Sequence, residues 1–197
     1  MPAGRSGVML ALPGGPSPAL LAKALREIDS GLVDVVPAHD TLLLVWHEAR
    51  PRDAEVIALL AEAESVQAAS SPRAEIEIPV AYDGPDLAAV AEACGLTEAE
   101  VIELHSSAVY EAEFCGFAPG FAYLTGLPAQ LHLPRRAEPR TRVPRGSIAI
   151  AGPYSGVYPS ASPGGWHLLG TTQVRLFDPA AEQPALISPG MLVRFVQ

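Results

Sequence analysis

Between Phe114 and Thr172 no more than five residues in a row pass without a glycine or a proline. Proline removes a backbone donor and clashes with the preceding turn, and glycine raises the entropy lost on ordering. No helix of ordinary length fits such a stretch, so it must fold as short strands joined by turns. The segments between the breaks read as strands near 121–124, 147–151, 156–158 and 166–169. Two more are expected at 174–177 and 192–196. Many short strands with this punctuation predict a β-barrel or sandwich.

The chain before residue 114 has a different rhythm. Residues 1–16 read as a loose end. Ser17 and Pro18 then open a helix, serine as N-cap and proline at the first helical position. Leu21, Leu25 and Ile28 recur at helical spacing to about Ser30. Strands are expected at 33–36 and 41–46, parted by a Pro37-Ala38-His39-Asp40 turn. A helix over 53–69 carries Val56, Leu59 and Leu60 on one face. Acidic and apolar residues alternate over 75–80, the mark of a half-buried strand. Asp86 to Cys94 makes a short helix stopped by Gly95. Thr97 and Glu100 form a capping box that starts another, reaching Ala108, before a strand at 110–114. The fold class is therefore α+β. A small α/β N-terminal domain over residues 1–76 precedes a β-rich domain over 77–197, with the boundary near 74–79.

Composition narrows the function. With 197 residues and 49% hydrophobic content the chain can bury a real core. It lacks the run of about 18 apolar residues that a membrane span needs. The opening Val8-Met9-Leu10-Ala11-Leu12 is cut by Pro13 and Gly14, too short for a signal-peptide core. Cys94 and Cys115 are the only cysteines, no basis for a disulfide framework, and this fits the cytoplasm. The net charge of −9 argues against nucleic acid. Residues 1–113 hold 19 acids and 6 bases, whereas residues 114–197 hold 3 acids and 7 bases. A locally positive second part in an acidic protein suits an anionic ligand or an acidic partner. Lys23 is the single lysine. A Walker A loop needs a lysine after its glycines, so ATP chemistry requires another kind of site or another chain.

The chemistry-bearing residues cluster in the second part. Arg135, Arg136, Arg140, Arg142 and Arg145 fall within eleven positions, held among Pro134, Pro139 and Pro144. Guanidinium forks match carboxylates and phosphates, and Arg135 and Arg140 are the preferred anion contacts. Gly116 to Phe121 is a tight segment with aromatic edges. It either lines a pocket, to which Tyr123 adds a hydroxyl, or forms a packing corner. Tyr158 and Trp166, beside Gly164-Gly165, supply the opposite wall. Ser147 can hydrogen-bond a ligand; as a nucleophile it would need a base, and no Gly-x-Ser-x-Gly elbow surrounds it. His105 is either a general base or a hydrogen-bonded structural group. The histidines and cysteines form no ligand pattern, so no metal is expected.

These motifs carry a resemblance. Gly116-Phe117-Ala118-Pro119-Gly120-Phe121-Ala122-Tyr123-Leu124 is its most specific part. Asp34-Val35-Val36-Pro37-Ala38, Ile78-Pro79-Val80-Ala81-Tyr82 and Pro85-Asp86-Leu87 precede it. Pro134-Arg135, Pro139-Arg140, Val143-Pro144-Arg145-Gly146-Ser147-Ile148, Tyr158-Pro159 and Ser162-Pro163-Gly164-Gly165-Trp166 follow. In this order they resemble the allophanate hydrolase subunit 1 family, which includes the B subunit of 5-oxoprolinase and the kinase inhibitor KipI. The resemblance implies a cyclophilin-like β-barrel as the second domain. It further implies one part of an ATP-dependent 5-oxoprolinase, which opens 5-oxo-L-proline to L-glutamate, the chain being inactive alone. Its partners would be an allophanate hydrolase subunit 2-type chain (the C subunit of 5-oxoprolinase) and the A subunit of the same enzyme. ATP would serve the complex without binding tightly to this chain. The usual opening strand of the family looks replaced by Pro13-Gly14-Gly15-Pro16. The alternative function is a KipI-like regulator that binds a sensor histidine kinase. A carboxyltransferase component acting on urea ranks last, because no biotin-accepting segment is present.

Overall fold

The computed structural model describes residue 1 and residues 3–28, 31–69 and 73–197. Two units divide the chain, Met1–Arg73 and Ala74–Gln197.

The first unit contains β1 (Gly7–Ala11), α1 (Pro18–Glu27), β2 (Leu32–Pro37), β3 (Thr41–Trp46) and α2 (Asp53–Ala69). Its strands form an antiparallel sheet in the order β1-β3-β2. Strand alternation sends Leu42, Leu44 and Trp46 inward. They share one core with Leu21 and Leu25 of α1 and with Val56 and Ala63 of α2. Pro18 occupies the first turn of α1, as expected, and the helix ends at Glu27. The expected end near Ser30 lies outside the described residues.

The reading of residues 1–16 as a loose end is corrected. Gly7–Ala11 is an edge strand, with Val8 opposite Leu44 and Leu10 opposite Leu42. Val8, Leu10 and Leu12 pack inward, but the intervening Met9 and Ala11 are apolar too, so no apolar-polar alternation shows. The opening strand that looked replaced in the sequence is therefore present.

The second unit begins with β4 (Glu75–Pro79), α3 (Leu87–Cys94), α4 (Glu98–Ser107), β5 (Tyr110–Cys115) and β6 (Ala122–Thr125). It continues with β7 (Arg140–Val143), β8 (Ser147–Ala151), β9 (Tyr154–Val157), β10 (Ser162–Gly164), β11 (His167–Thr171) and β12 (Leu192–Val196). Seven of these strands make one curled sheet in the order β11-β8-β9-β6-β5-β12-β4, and β7 and β10 form a separate ribbon. All pairings in the large sheet are antiparallel except β12 with β4. Its two edges are tied together after β4, where Ala81 and Thr171 exchange N–H to carbonyl bonds of 2.9 and 2.8 Å.

The helices of this unit follow local chemistry. Gly95 ends α3, and Thr97 with Glu100 makes the expected reciprocal capping box at the start of α4. Inside the curl, Ile78, Tyr110, Leu124, Ile148, Val193 and Phe195 build the main core. The strand expected at 174–177 is absent. Thr172 takes the Val174 N–H on its hydroxyl, and Leu186 donates to the Leu176 carbonyl, so this segment bonds to a loop instead of a strand. Leu176 is nevertheless buried, which explains the apolar alternation that suggested a strand.

No helix among the described residues is long and apolar enough to cross a membrane. Among the described residues, Cys94 and Cys115 are free of any disulfide.

Candidate functional site

β8 is buried at all five positions, which a strand in an ordinary one-sided sheet cannot be. Ile148 and Ile150 point into the main core. Ala149 and Ala151 point the other way, into a second cluster with Phe121, Val143, Tyr158, Trp166 and Leu168. The small alanines leave depth on this face for large rings. Gly156 on the neighbouring β9 does the same. A Cβ there would stand 3.0 Å from the Phe121 ring and 3.3 Å from the Trp166 ring, tighter than ordinary contact.

The connection from β5 to β6 brings up the first wall. Pro119 and Gly120 turn the chain, with Gly120 at φ +83° and the Phe121 N–H donating to the Ala118 carbonyl at 2.9 Å. Phe121 stands edge-on to Tyr123, Tyr158 and Trp166, with centroids 5.1, 5.6 and 5.4 Å away. Such edge-to-face geometry is the favoured one for aromatic pairs. Gly164 and Gly165 form part of the opposite wall. A Cβ on Gly164 would meet the Tyr158 hydroxyl at 2.2 Å, so only glycine lets that phenol reach its place.

Burial raises the Tyr158 pKa, and the Trp166 N–H and the charges of Arg135 and Arg140 oppose this only in part. The phenol thus keeps its own proton to donate. Phe117, Tyr123 and Arg135 complete a pocket of about 60 Å³. That is several-fold below the roughly 300–1,000 Å³ of pockets that hold drug-sized ligands. It suits a small ring.

The arginine cluster divides in two. Asp86, at the N-cap of α3, has a side chain only 4% exposed. Its carboxylate accepts four hydrogen bonds. Arg140 gives two, of 2.9 and 2.7 Å, Arg136 gives one of 2.8 Å, and the Leu168 N–H gives one of 2.7 Å. Burial works to raise the Asp86 pKa, but the Arg140 bonds, the Leu168 N–H and the Arg136 charge outweigh it and hold the carboxyl below its usual range. The two guanidinium groups exceed the single carboxylate by one positive charge. Arg135 has no carboxylate partner among the described residues, and it lines the pocket. His167 donates its Nε2–H to the Pro134 carbonyl at 2.9 Å, steadying the segment that carries Arg135.

The structure brings four of the residues singled out in the sequence into one pocket: Arg135, Tyr123, Tyr158 and Trp166. Arg140 stands close by, but its fork is engaged by Asp86. Ser147 is buried in β8 outside the pocket lining, and its carbonyl accepts the Tyr158 N–H at 2.9 Å. His105 is fully buried in the main core of the unit. Its Nδ1 lies 2.8 Å from the Tyr82 hydroxyl and its Nε2 lies 2.9 Å from Ser155 Oγ. Ser155 donates onward to the Ala149 carbonyl, so Nε2 carries the hydrogen and Nδ1 accepts from Tyr82. His105 stacks on Phe195 at 4.7 Å and is not a pocket residue. Phe117 and Phe121, from the Gly116 to Phe121 segment read as either pocket lining or a packing corner, also line the pocket, whereas Asp86 is not among the candidate site residues read from the sequence. For Asp86 a signal existed: only three acids follow Glu113, so two partly buried arginines needed an acid from earlier in the chain.

Larger depressions exist elsewhere. One of about 490 Å³ beside Pro79 and Thr171 has no charged side chain in its lining. Another of about 280 Å³ beside Leu25 and Val35 has no aromatic one. Neither combines a free cation with ring-sized walls. Among the described residues no group of His, Cys, Asp and Glu could hold a metal ion.

A family model described as carboxyltransferase domain, subdomain C and D, matches residues 8–187. The B subunit of 5-oxoprolinase from Escherichia coli O157:H7 is 48% identical over 180 residues, 89% of this chain and 82% of that protein. The corresponding B subunit from Bacillus subtilis (strain 168) is 44% identical over 125 residues, 62% of this chain and 52% of that protein. Among solved structures, TTHA0988 superposes with a TM-score of 0.83 at 40% identity over 97% of this chain, which spans 40% of that one. The Kluyveromyces lactis urea carboxylase shares the fold at 17% identity and a TM-score of 0.67, over 97% of this chain and 21% of its own.

Proposed function

The chain belongs to the carboxyltransferase domain, subdomain C and D, family, and from that premise we propose that it is one subunit of an ATP-dependent 5-oxoprolinase. The complex would hydrolyse the lactam of 5-oxo-L-proline to L-glutamate. The observation that carries this reading is the 48% identity, over 89% of the chain, to a relative named as the B subunit of 5-oxoprolinase. The pocket supports it. The substrate is a flat five-membered ring with one carboxylate, and the site offers aromatic walls, one free guanidinium and the Tyr158 hydroxyl. We assign the substrate carboxylate to Arg135, the ring to the space among Tyr123, Tyr158 and Trp166, and the residual positive charge to Arg140.

ATP does not fit this pocket, which encloses about 60 Å³ and carries no lysine. We therefore assign the nucleotide to a partner chain. Water activation goes there too. The lining consists of Phe, Tyr, Trp, Arg and Gly, and none of these is a base near neutral pH. His105 and Ser147 lie outside it. In this reading the partners are an allophanate hydrolase subunit 2-type chain and the A subunit of 5-oxoprolinase, and the curled sheet is a cyclophilin-like barrel, a fold that does not by itself imply an activity.

The test is ATP-dependent glutamate release from 5-oxo-L-proline, by this chain alone and then with both partner chains. Release only by the mixture is the expected result. No release by a mixture whose components are folded and bound would reject the assignment and favour a regulatory binding protein. In the active mixture, Arg135→Gln should raise KM for 5-oxo-L-proline about 10- to 100-fold with a much smaller effect on kcat. A charge-assisted hydrogen bond is worth about 1.5–3 kcal/mol, and each 1.4 kcal/mol is tenfold. Unchanged steady-state KM would remove Arg135 from the carboxylate site.

A further inference from the structure

We propose that Phe117 is a specificity-determining residue of this pocket, held over its mouth by a strained turn that the fold itself does not need. The inference rests on the substrate reading above and adds to it the residue that limits ring size.

Phe117 has φ +66°, and it is the only residue other than glycine with positive φ among the described residues. The Ala118 N–H donates to the Gly116 carbonyl at 2.7 Å, closing a three-residue turn around it. A turn of this kind with positive φ at its centre is rare and strained for a residue with a side chain. Glycine would adopt it freely. The chain places glycine one residue before and three residues after, at Gly116 and Gly120, but not here.

Packing does not account for the phenylalanine. It is 60% exposed, more than any other aromatic residue among the large hydrophobics of the described residues. It touches the aromatic cluster only by its edge, with centroids 5.3 Å from Phe121 and 6.1 Å from Tyr158. A strained, exposed ring that contributes little burial is retained for something it meets from outside. Strain of this type collects at ligand clamps.

Its position says what it meets. Phe117 shares the lining with Arg135 and with Tyr123, Tyr158 and Trp166. A ligand carboxylate on Arg135 would leave its ring beneath Phe117. The phenyl group covers that ring and removes water from the ion pair, which strengthens it. The same cover would limit ring size: on this proposal the five-membered lactam acid is accepted and the six-membered homologue, one methylene larger, is disfavoured by the phenyl group. One methylene discriminates by roughly 10- to 200-fold in a shaped apolar pocket.

The experiment uses the assembled complex with Phe117→Gly, Phe117→Asn and Phe117→Tyr. Gly and Asn both tolerate positive φ, and Tyr keeps the ring. KM for 5-oxo-L-proline should rise about tenfold or more in Phe117→Gly and Phe117→Asn. The preference for the five-membered over the six-membered lactam acid should fall by a similar factor. Phe117→Tyr should restore both. The melting midpoint of the chain should stay level or rise, because strain leaves with the side chain. A fall in midpoint above about 5 °C without change in KM would make Phe117 a packing residue and overturn the proposal. So would an unchanged ring-size preference. Absence of glutamate release by the wild-type complex would overturn the substrate reading and this inference with it, whereas an active wild type with indifferent Phe117 variants would overturn this inference alone.

Discussion

Replacing His105 by alanine should lower the stability of the second unit by about 3–5 kcal/mol, the range for removing a large buried ring. The imidazole fills the centre of the core between Phe195 and Tyr110, with ring centroids at 4.7 and 5.3 Å. Its loss opens a cavity, strands the Tyr82 hydroxyl and leaves Ser155 Oγ with only its bond to the Ala149 carbonyl. Urea denaturation followed by Trp166 fluorescence, in a Trp46→Phe background, reads this unit directly. A loss below about 1 kcal/mol would mean that the core collapses around the gap.

The same residue makes stability depend on pH. Burial depresses the His105 pKa from 6.5 to about 3. Below pH 6.5 the unfolded chain binds a proton that the native core refuses. The contribution of neutral His105 is therefore complete above 6.5 and is lost as pH falls toward 3, at about 1.4 kcal/mol per pH unit. A His105→Phe variant should lack that slope between pH 6 and 4.5, whatever its stability at neutral pH.

The second large effect is expected at Asp86. Asp86→Ala should cost about 3–5 kcal/mol, the usual loss when one member of a buried ion pair is removed. The value should fall at the low end, because Arg136 and Arg140 are 33% and 24% exposed and regain some hydration. The Leu168 N–H, a buried donor, loses its acceptor as well. Asp86→Asn should recover part of the loss through the Leu168 bond but not the charge pairing. Since the folded carboxyl titrates below its ordinary value, the wild-type contribution is full above about pH 4 and disappears as pH drops through the folded pKa. The Asp86→Ala variant should show a flatter acid limb. Guanidinium groups released from Asp86 would also stand nearer the pocket, so a tighter anion affinity in Asp86→Asn would show how far the carboxylate tempers the site.

Local signals carried most of the elements into view. The Thr97 and Glu100 capping box, the Pro37 to Asp40 turn and the acid-apolar alternation of β4 each follow from neighbours in sequence, and each stands where expected. Two short strands that depend on each other did not show. β7 and β10 are three to four residues long and punctuated by proline and glycine, and only their mutual pairing makes them strands. The site divides on the same ground. Aromatic and glycine residues near one another in sequence turned out to be near in space. Arg140 looked free because its partner, Asp86, lies 54 positions away. His105 stayed open between a general base and a hydrogen-bonded structural group because its enclosure by Tyr82, Ser155 and Phe195 comes from three separate segments.

The place of β12 has a consequence for how the second unit assembles. Leu192–Val196 lies between β5 and β4 in the sheet, pairing with Tyr110 and Glu111 on one side and with Glu75–Pro79 on the other. The last strand of the unit to be synthesised is thus an interior strand, and β4 has no other neighbour in the sheet. About 115 residues separate β12 from β4 and about 80 separate it from β5, so closure entropy is lost before the contacts form. On a ribosome, the earlier strands must wait with an open slot until this segment emerges. Completion of the sheet is thereby a late event, and the slot is the surface that a chaperone, or the same strand of a second copy, would meet first.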